Sequence, residues 1–191
     1  MRLLEERIKK DGIVRGNGVL KVDSFLNHQI DPLLADEMAK EFFRLFKDDG
    51  VDKILTIEAS GIAVAALTAR YFEKPLVFAK KSRTTNLSAE VWTAKAFSFT
   101  HNVENVVMVS KQYLGEGERV LLIDDFLANG CALRALRDIV LQAGGIPVGA
   151  GIVIEKAFQP GGDDLRKEGL PIESLARISS MSEESGVEFC R

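Results

Sequence analysis

The sequence predicts an α/β domain in which helices flank a central, mainly parallel sheet, and two matching units carry that prediction. In the first, Lys53-Ile54-Leu55-Thr56-Ile57 passes through the small-residue turn Glu58-Ala59-Ser60-Gly61 into an alanine-rich segment reaching about Tyr71, and Leu76-Val77-Phe78 follows. In the second, Val120-Leu121-Leu122-Ile123 passes through Asp124-Asp125 and a further small-residue turn into a segment with Leu133, Leu136, Val140 and Leu141 at helical spacing. That segment ends near Gly144-Gly145, before Val148 to Ile154. The apolar runs are too short for helices and carry β-branched residues, which marks buried strands. Strand, crossover helix and strand in succession imply parallel pairing, because a tight turn cannot join parallel neighbours. Composition agrees: the chain is 46% hydrophobic and 28% charged, ordinary values for a globular protein. Its 191 residues suit one domain and bury about 70% of the unfolded surface on folding.

The remaining elements follow in order. Leu3, Leu4, Arg7 and Ile8 share one side of a short N-terminal helix that stops near Asp11-Gly12. Gly16-Asn17-Gly18 is a turn in a small hairpin, since Asn-Gly favours positive φ; without a correctly placed third glycine it is no dinucleotide fingerprint. Asp31 caps a helix that has Pro32 at its first position and Leu34, Met38, Phe42, Leu45 and Phe46 on its apolar face. Lys80 to Ser88 is a polar, basic loop. Val91 to Phe99 and Val106 to Val109, joined across His101-Asn102, form an antiparallel ribbon extending from the sheet. After a turn through Gly161-Gly162, a short helix from Asp163 to Lys167 and two final strands close the chain.

Several function classes are disfavoured. A net charge of −3 gives no bulk attraction to nucleic acid. No apolar run approaches a membrane span, and Met1 to Arg7 is too charged for a signal peptide. Cys131 and Cys190 are too few for a disulfide scaffold or a zinc site, and His28 and His101 have no ligand spacing around them. The cytoplasm is the expected compartment.

Chemistry concentrates at Arg119 to Ala132. A strand, a small-residue turn and a helix N-terminus bring unpaired backbone N–H groups and the positive end of the helix dipole to one spot, which suits an anion. The adjoining carboxylates Asp124 and Asp125 would repel a bare phosphate, so the ligand also carries hydroxyls or a metal ion. A sugar phosphate has both halves. The plainer alternative is that Asp-Asp simply ends a strand and opens a turn. Glu58 to Gly61 offers a second turn with close backbone N–H groups and one hydroxyl, alternatively an ordinary helix start capped by Ser60. Lys80, Lys81 and Arg83 form either a solvated basic face or a lid over an anion. Lys156 follows a strand at the ligand edge, where a lysine can donate to an exocyclic oxygen or remain solvated.

The Asp124-Asp125 stretch, four apolar residues, two acids and a small-residue loop entering a helix, resembles the phosphoribosyl-pyrophosphate (PRPP) motif of type I phosphoribosyltransferases. The resemblance implies that fold, with a small hood formed by about residues 1–35 and 156–191 of a single domain. It implies that Asp124 and Asp125 contact the ribose hydroxyls and that Ala128, Asn129, Gly130, Cys131 and Ala132 hold the 5′-phosphate. Glu58, Ala59, Ser60 and Gly61 would bind pyrophosphate, in the family often through a strained peptide, together with Lys81, which often reaches across a homodimer. Mg²⁺ would be held mainly by substrate oxygens, with no dedicated protein metal site. The blocks Lys21 to Pro32, Ile123 to Gly130 and Ile152 to Gly161 resemble the bacterial xanthine-using branch. They imply xanthine and PRPP as substrates, with Leu20, Asn27 and Lys156 around the purine. The chain departs from the expected pattern at three places: Asn129-Gly130 replaces Thr-Gly, Ala59 stands in place of Ser, and Cys131 in place of Gln. No departure removes a backbone donor. Two alternatives stand beside this expectation, another purine specificity (adenine, or guanine and hypoxanthine) and a non-catalytic PRPP-sensing regulator. The regulator would carry an added DNA-binding module, for which the chain has no spare length.

Overall fold

The computed structural model describes residues 1–16, 18–81, 90–98 and 103–191, with side chains described for all of these except 96–98 and 103–105. In chain order the elements are α1 (Arg2–Asp11), β1 (Ile13–Arg15), β2 (Val19–Lys21), a π-helical turn (Asp23–Asn27), α2 (Pro32–Phe46), β3 (Lys53–Ile57), α3 (Gly61–Phe72) and β4 (Leu76–Ala79). Then come β5 (Val91–Ser98), β6 (Val103–Ser110), β7 (Arg119–Leu127), α4 (Cys131–Gln142), β8 (Ile146–Lys156), α5 (Gly161–Lys167), β9 (Ile172–Ser182) and β10 (Gly186–Phe189).

Six strands form the central sheet in the order β10-β9-β8-β7-β3-β4. All neighbours pair in parallel except β10, which runs antiparallel to β9 with a register break between Glu188 and Phe189. The α3 crossover carries the chain from β3 to β4, and the α4 crossover carries it from β7 to β8 in the opposite direction along the sheet. The carboxyl ends of β3 and β7 therefore diverge into a crevice, the place where open α/β sheets accept ligands.

Side-chain alternation divides the core between the two faces of the sheet. Ile54, Leu121 and Ile123 pack with Leu4 and Ile8 of α1, Met38 and Phe42 of α2, and Val64 of α3. Leu55, Ile57, Val120 and Leu122 pack with Leu133, Leu136 and Ile139 of α4 and Leu165 of α5. The Asp31 cap is present: its Oδ1 accepts from the backbone N–H of Leu33 (3.1 Å) and Leu34 (3.2 Å), with Pro32 opening α2. The hairpin also forms, Val14 facing Leu20; Asn17 of the expected turn lies outside the described residues.

Several features differ from the sequence expectation or were not anticipated by it. β7 does not end at the acids but runs through them to Leu127, because β8 is eleven residues long and supplies ladder partners as far as Glu155. A long, paired neighbour overrides the poor strand propensity of aspartate. For the same reason Lys156 is the last residue of β8 rather than lying beyond it. Asp23–Asn27 is π-helical, and α5 begins at Gly161, two residues early. β5 and β6 form a separate ribbon. It meets the main sheet through one antiparallel bridge, Lys80 with Met108, and reaches α4 through Gln142, whose Nε2 donates to Thr93 O at 3.1 Å. The His101-Asn102 connection lies outside the described residues.

Candidate active site

Both crossover turns open into the crevice. In the first, Glu58 N–H donates to Ala79 O at 3.1 Å, the Glu58–Ala59 peptide is cis, and Ser60 takes the position before α3 without a side-chain capping bond. Ser60 is thus no conventional cap. Gly61 is pressed between the two strands: a Cβ there would collide with Thr56 Oγ1 and lie 3.3 Å from Asp124 Oδ1. The first turn therefore lies close to the first acid, with no room for a side chain at Gly61.

Asp124 and Asp125 are consecutive in an extended strand, so their side chains leave opposite faces. Asp124 is 3% exposed and Asp125 is half-buried. The Asp125 N–H donates to Asp124 Oδ1 at 3.0 Å. Burial pushes the Asp124 carboxyl well above the usual carboxylate range, the neighbouring Asp125 adds to this, and the charge of Lys81 opposes it. Lys81 is exposed, and its backbone N–H donates to Glu58 Oε1 at 2.7 Å, tying the start of the basic stretch to the first turn. Arg83 and the rest of the expected lid lie outside the described residues.

The second turn, Ala128 to Gly130, ends in Gly130 with φ of 78°, the left-handed region that glycine tolerates. α4 starts at Cys131 with no side-chain cap among the described residues, leaving its first N–H groups directed outward. Ala128, Asn129, Cys131 and Ala132 are half-buried, and Gly130 is buried. Behind the turn stands α5. The Gly161 N–H donates to Ala128 O at 3.1 Å, and a methyl at Gly161 would collide with the backbone of Ala128, Asn129 and Gly130. No group of three or more His, Cys, Asp or Glu among the described residues is arranged to hold a metal ion.

At the other end of the crevice, Lys156 Nζ donates to Gly18 O at 2.8 Å and lies 5.7 Å from the centre of the Phe126 ring. Burial lowers its pKa. Leu20 is buried on the same hairpin as Gly18, and Asn27 is the exposed last residue of the π-helical turn. Lys156 is thus joined to the hairpin that carries Leu20, while the two acids, Gly61 and Lys81 form a second group.

A family model described as the phosphoribosyl transferase domain matches residues 21–172. The chain belongs to that family. Among relatives of this phosphoribosyl transferase chain, a xanthine phosphoribosyltransferase of Lachnoclostridium phytofermentans is 55% identical over 191 residues, covering 100% of this chain and 98% of the other. One from Bifidobacterium adolescentis is 52% identical, covering 99% of each. The fold is that of the solved adenine phosphoribosyltransferase of Thermoanaerobacter pseudethanolicus, with a TM-score of 0.74 and 22% identity over 91% of this chain and 99% of that one. The Giardia lamblia APRTase complexed with 9-deazaadenine superposes with a TM-score of 0.77 at 22% identity, over 91% and 97% of the two chains.

Sequence reasoning missed four residues that line or support the crevice. Thr56 Oγ1 is buried against Gly61 and finds no hydrogen-bond partner among the described residues. Phe126 lies beside Lys156, and Gly161 and Gly162 support the second turn and α5. The only sequence signal was the Gly161-Gly162 pair itself, which marks close backbone approach as readily as a turn.

Proposed function

We propose that this phosphoribosyl transferase moves the phosphoribosyl group of PRPP onto a ring nitrogen of xanthine, giving xanthosine 5′-monophosphate and pyrophosphate. The observation that carries it is the closeness of the first turn to the first acid at the switch point of the sheet, where a Cβ on Gly61 would lie 3.3 Å from Asp124 Oδ1. The full-length relatives named for xanthine supply the base. Ala128 to Ala132 hold the 5′-phosphate on backbone N–H groups and the α4 dipole. Asp124 and Asp125 accept from the ribose hydroxyls, and Glu58 to Gly61 with Lys81 receive the pyrophosphate. Lys156, Leu20 and Asn27 surround the purine, Lys156 donating to its 6-oxo edge, within a hood formed by about residues 1–35 and 156–191.

The C1–oxygen bond breaks ahead of C1–nitrogen bond formation, so the ribose becomes cationic, and the field of two nearby carboxylates favours that charge. No protein nucleophile takes part. Mg²⁺ would be held mainly by the pyrophosphate and ribose oxygens, beside the Asp124 and Asp125 that hold the diol, and when bound it would neutralise the departing pyrophosphate. The family resemblance supports a homodimer. The cytoplasm suits a chain in which no described helix is long and apolar enough to cross a membrane. The test is an assay of pyrophosphate release with PRPP, Mg²⁺ and xanthine, guanine, hypoxanthine or adenine in turn. Xanthine should turn over fastest. A faster rate with another purine would overturn the choice of base, and no release with any would overturn the reaction.

A further inference from the structure

Glu155 is the most buried charged side chain near the site, with 2% of its side chain exposed. It neighbours Lys156 in β8 and faces Leu127, the residue before the second turn. Arg166 of α5 grips it with both nitrogens, Nη1 to Oε1 at 2.7 Å and Nη2 to Oε2 at 2.8 Å. Ser174 Oγ donates to Oε2 at 2.5 Å, and Arg177 Nε donates to it at 3.1 Å, both from β9. Burial disfavours the charge on Glu155, but the hydrogen bonds from Arg166 and Ser174 overcome it and hold the carboxyl below its usual range. Gly162 lies flat on this carboxylate, since a methyl there would collide with Oε1, and Gly161 lies flat on the second turn. One carboxylate therefore fixes α5, and the first residue of α5 fixes Ala128 to Gly130.

We propose that Glu155 and Arg166 are positioning residues for the 5′-phosphate of PRPP, acting through Gly161. The proposal rests on the second turn being the phosphate cradle. The pair touches no substrate. It holds α5 as a rigid backstop, so the cradle keeps its shape when the ligand is absent and spends little binding energy on ordering. Arg177 is the internal comparison, because it pairs with the same carboxylate but stands on β9 and carries none of α5.

The experiment measures kcat and both KM values with PRPP and xanthine for Arg166→Met, Arg177→Met, Gly161→Ala and the Arg166→Met/Gly161→Ala double variant. Arg166→Met should raise the KM for PRPP about tenfold, the scale of a lost charged hydrogen bond, with kcat and the KM for xanthine within about twofold of wild type. Arg177→Met should leave the KM for PRPP within about twofold. Gly161→Ala removes neither charged side chain and should raise it in the same way, and the double variant should be no worse than the poorer single one, since both act through one contact. Additive losses, or equal effects of Arg166→Met and Arg177→Met, would overturn the proposal. Should Arg166→Met fail to fold, Gly161→Ala with an unchanged KM for PRPP would overturn it alone. A wild-type protein that binds no PRPP would instead defeat the function on which the proposal rests.

Discussion

Gly61→Ala is the sharpest probe of how closely the first crossover turn fits against β3 and β7. The added methyl collides with Thr56 Oγ1 and stands 3.3 Å from Asp124 Oδ1 and 3.6 Å from Asp124 Cα. Thr56 cannot yield easily: it is fully buried, paired with Phe78 in the sheet, and stiff about χ1 as a β-branched residue. The turn must therefore move. Overpacking of this kind costs about 1–3 kcal/mol, which lowers Tm by about 2–12 °C in a chain of this size. A shift of about 1 Å in a positioning loop costs about a hundredfold, so kcat/KM for PRPP should fall by a factor of about ten to a hundred. Thr56→Ala opens the space. Alone it should be neutral to stabilising by up to about 2 kcal/mol, because the lost apolar contact costs about 1 kcal/mol, and removing a buried hydroxyl without a partner returns about 1–3 kcal/mol. Combined with Gly61→Ala it should restore most of both losses. Calorimetry and steady-state kinetics on the four proteins of this cycle give the answer. A Gly61→Ala variant with wild-type Tm and kcat/KM, or one that Thr56→Ala fails to rescue, would refute the tight fit of the first turn against the two strands.

Asp124→Asn should lower turnover and raise stability at neutral pH. Because burial raises the pKa of Asp124, the native state binds its proton more tightly than the unfolded chain; the resulting stabilisation is present below the ordinary carboxylate range and lost as pH rises through the raised value. Melting curves across pH should show the variant's advantage growing with pH, and wild-type turnover in it would contradict the ribose role. Lys156→Ala removes both the bond to Gly18 and the proposed donor to the base; the KM for xanthine should rise about ten- to a hundredfold, on the scale of one charged hydrogen bond, with the KM for PRPP nearly unchanged. Cys131 is half-buried in the proposed cradle and Cys190 is exposed. PRPP with Mg²⁺ should slow alkylation of the first and spare the second, as read by mass spectrometry after timed iodoacetamide treatment. Equal labelling of Cys131 with PRPP bound would mean that its thiol points away from the phosphate.

The features legible in the sequence are those that a local pattern determines. The Asp31-Pro32 cap and the short apolar runs of β3 and β7 each span a few residues, and the structure shows both; the expected end of β7 at the two acids it does not. What escaped depends on chain segments brought together by the sheet. Nothing near Asp124 says that β7 continues to Leu127; that follows from the length of β8. The Lys156–Gly18 bond joins residues 138 apart, and the Glu155–Arg166 pair requires α5 to fold back over the strand it follows. Thr56 looked like any strand threonine, because its lack of a partner is a property of the packed interior. The π-helical form of Asp23–Asn27 has no counterpart in simple apolar periodicity.

The edges of the central sheet bear on how the protein avoids open-ended strand addition between copies. Each edge strand, β4 and β10, has only four residues, and the register break at Glu188/Phe189 interrupts the outer row of β10. A short, irregular edge is a poor template for a strand from another molecule. Immediately inside β10 lies β9, eleven residues long. Loss of 186–191 by proteolysis would turn that strand into an unprotected border, and such a nicked protein should self-associate through strand addition and precipitate at concentrations where the intact chain stays dispersed.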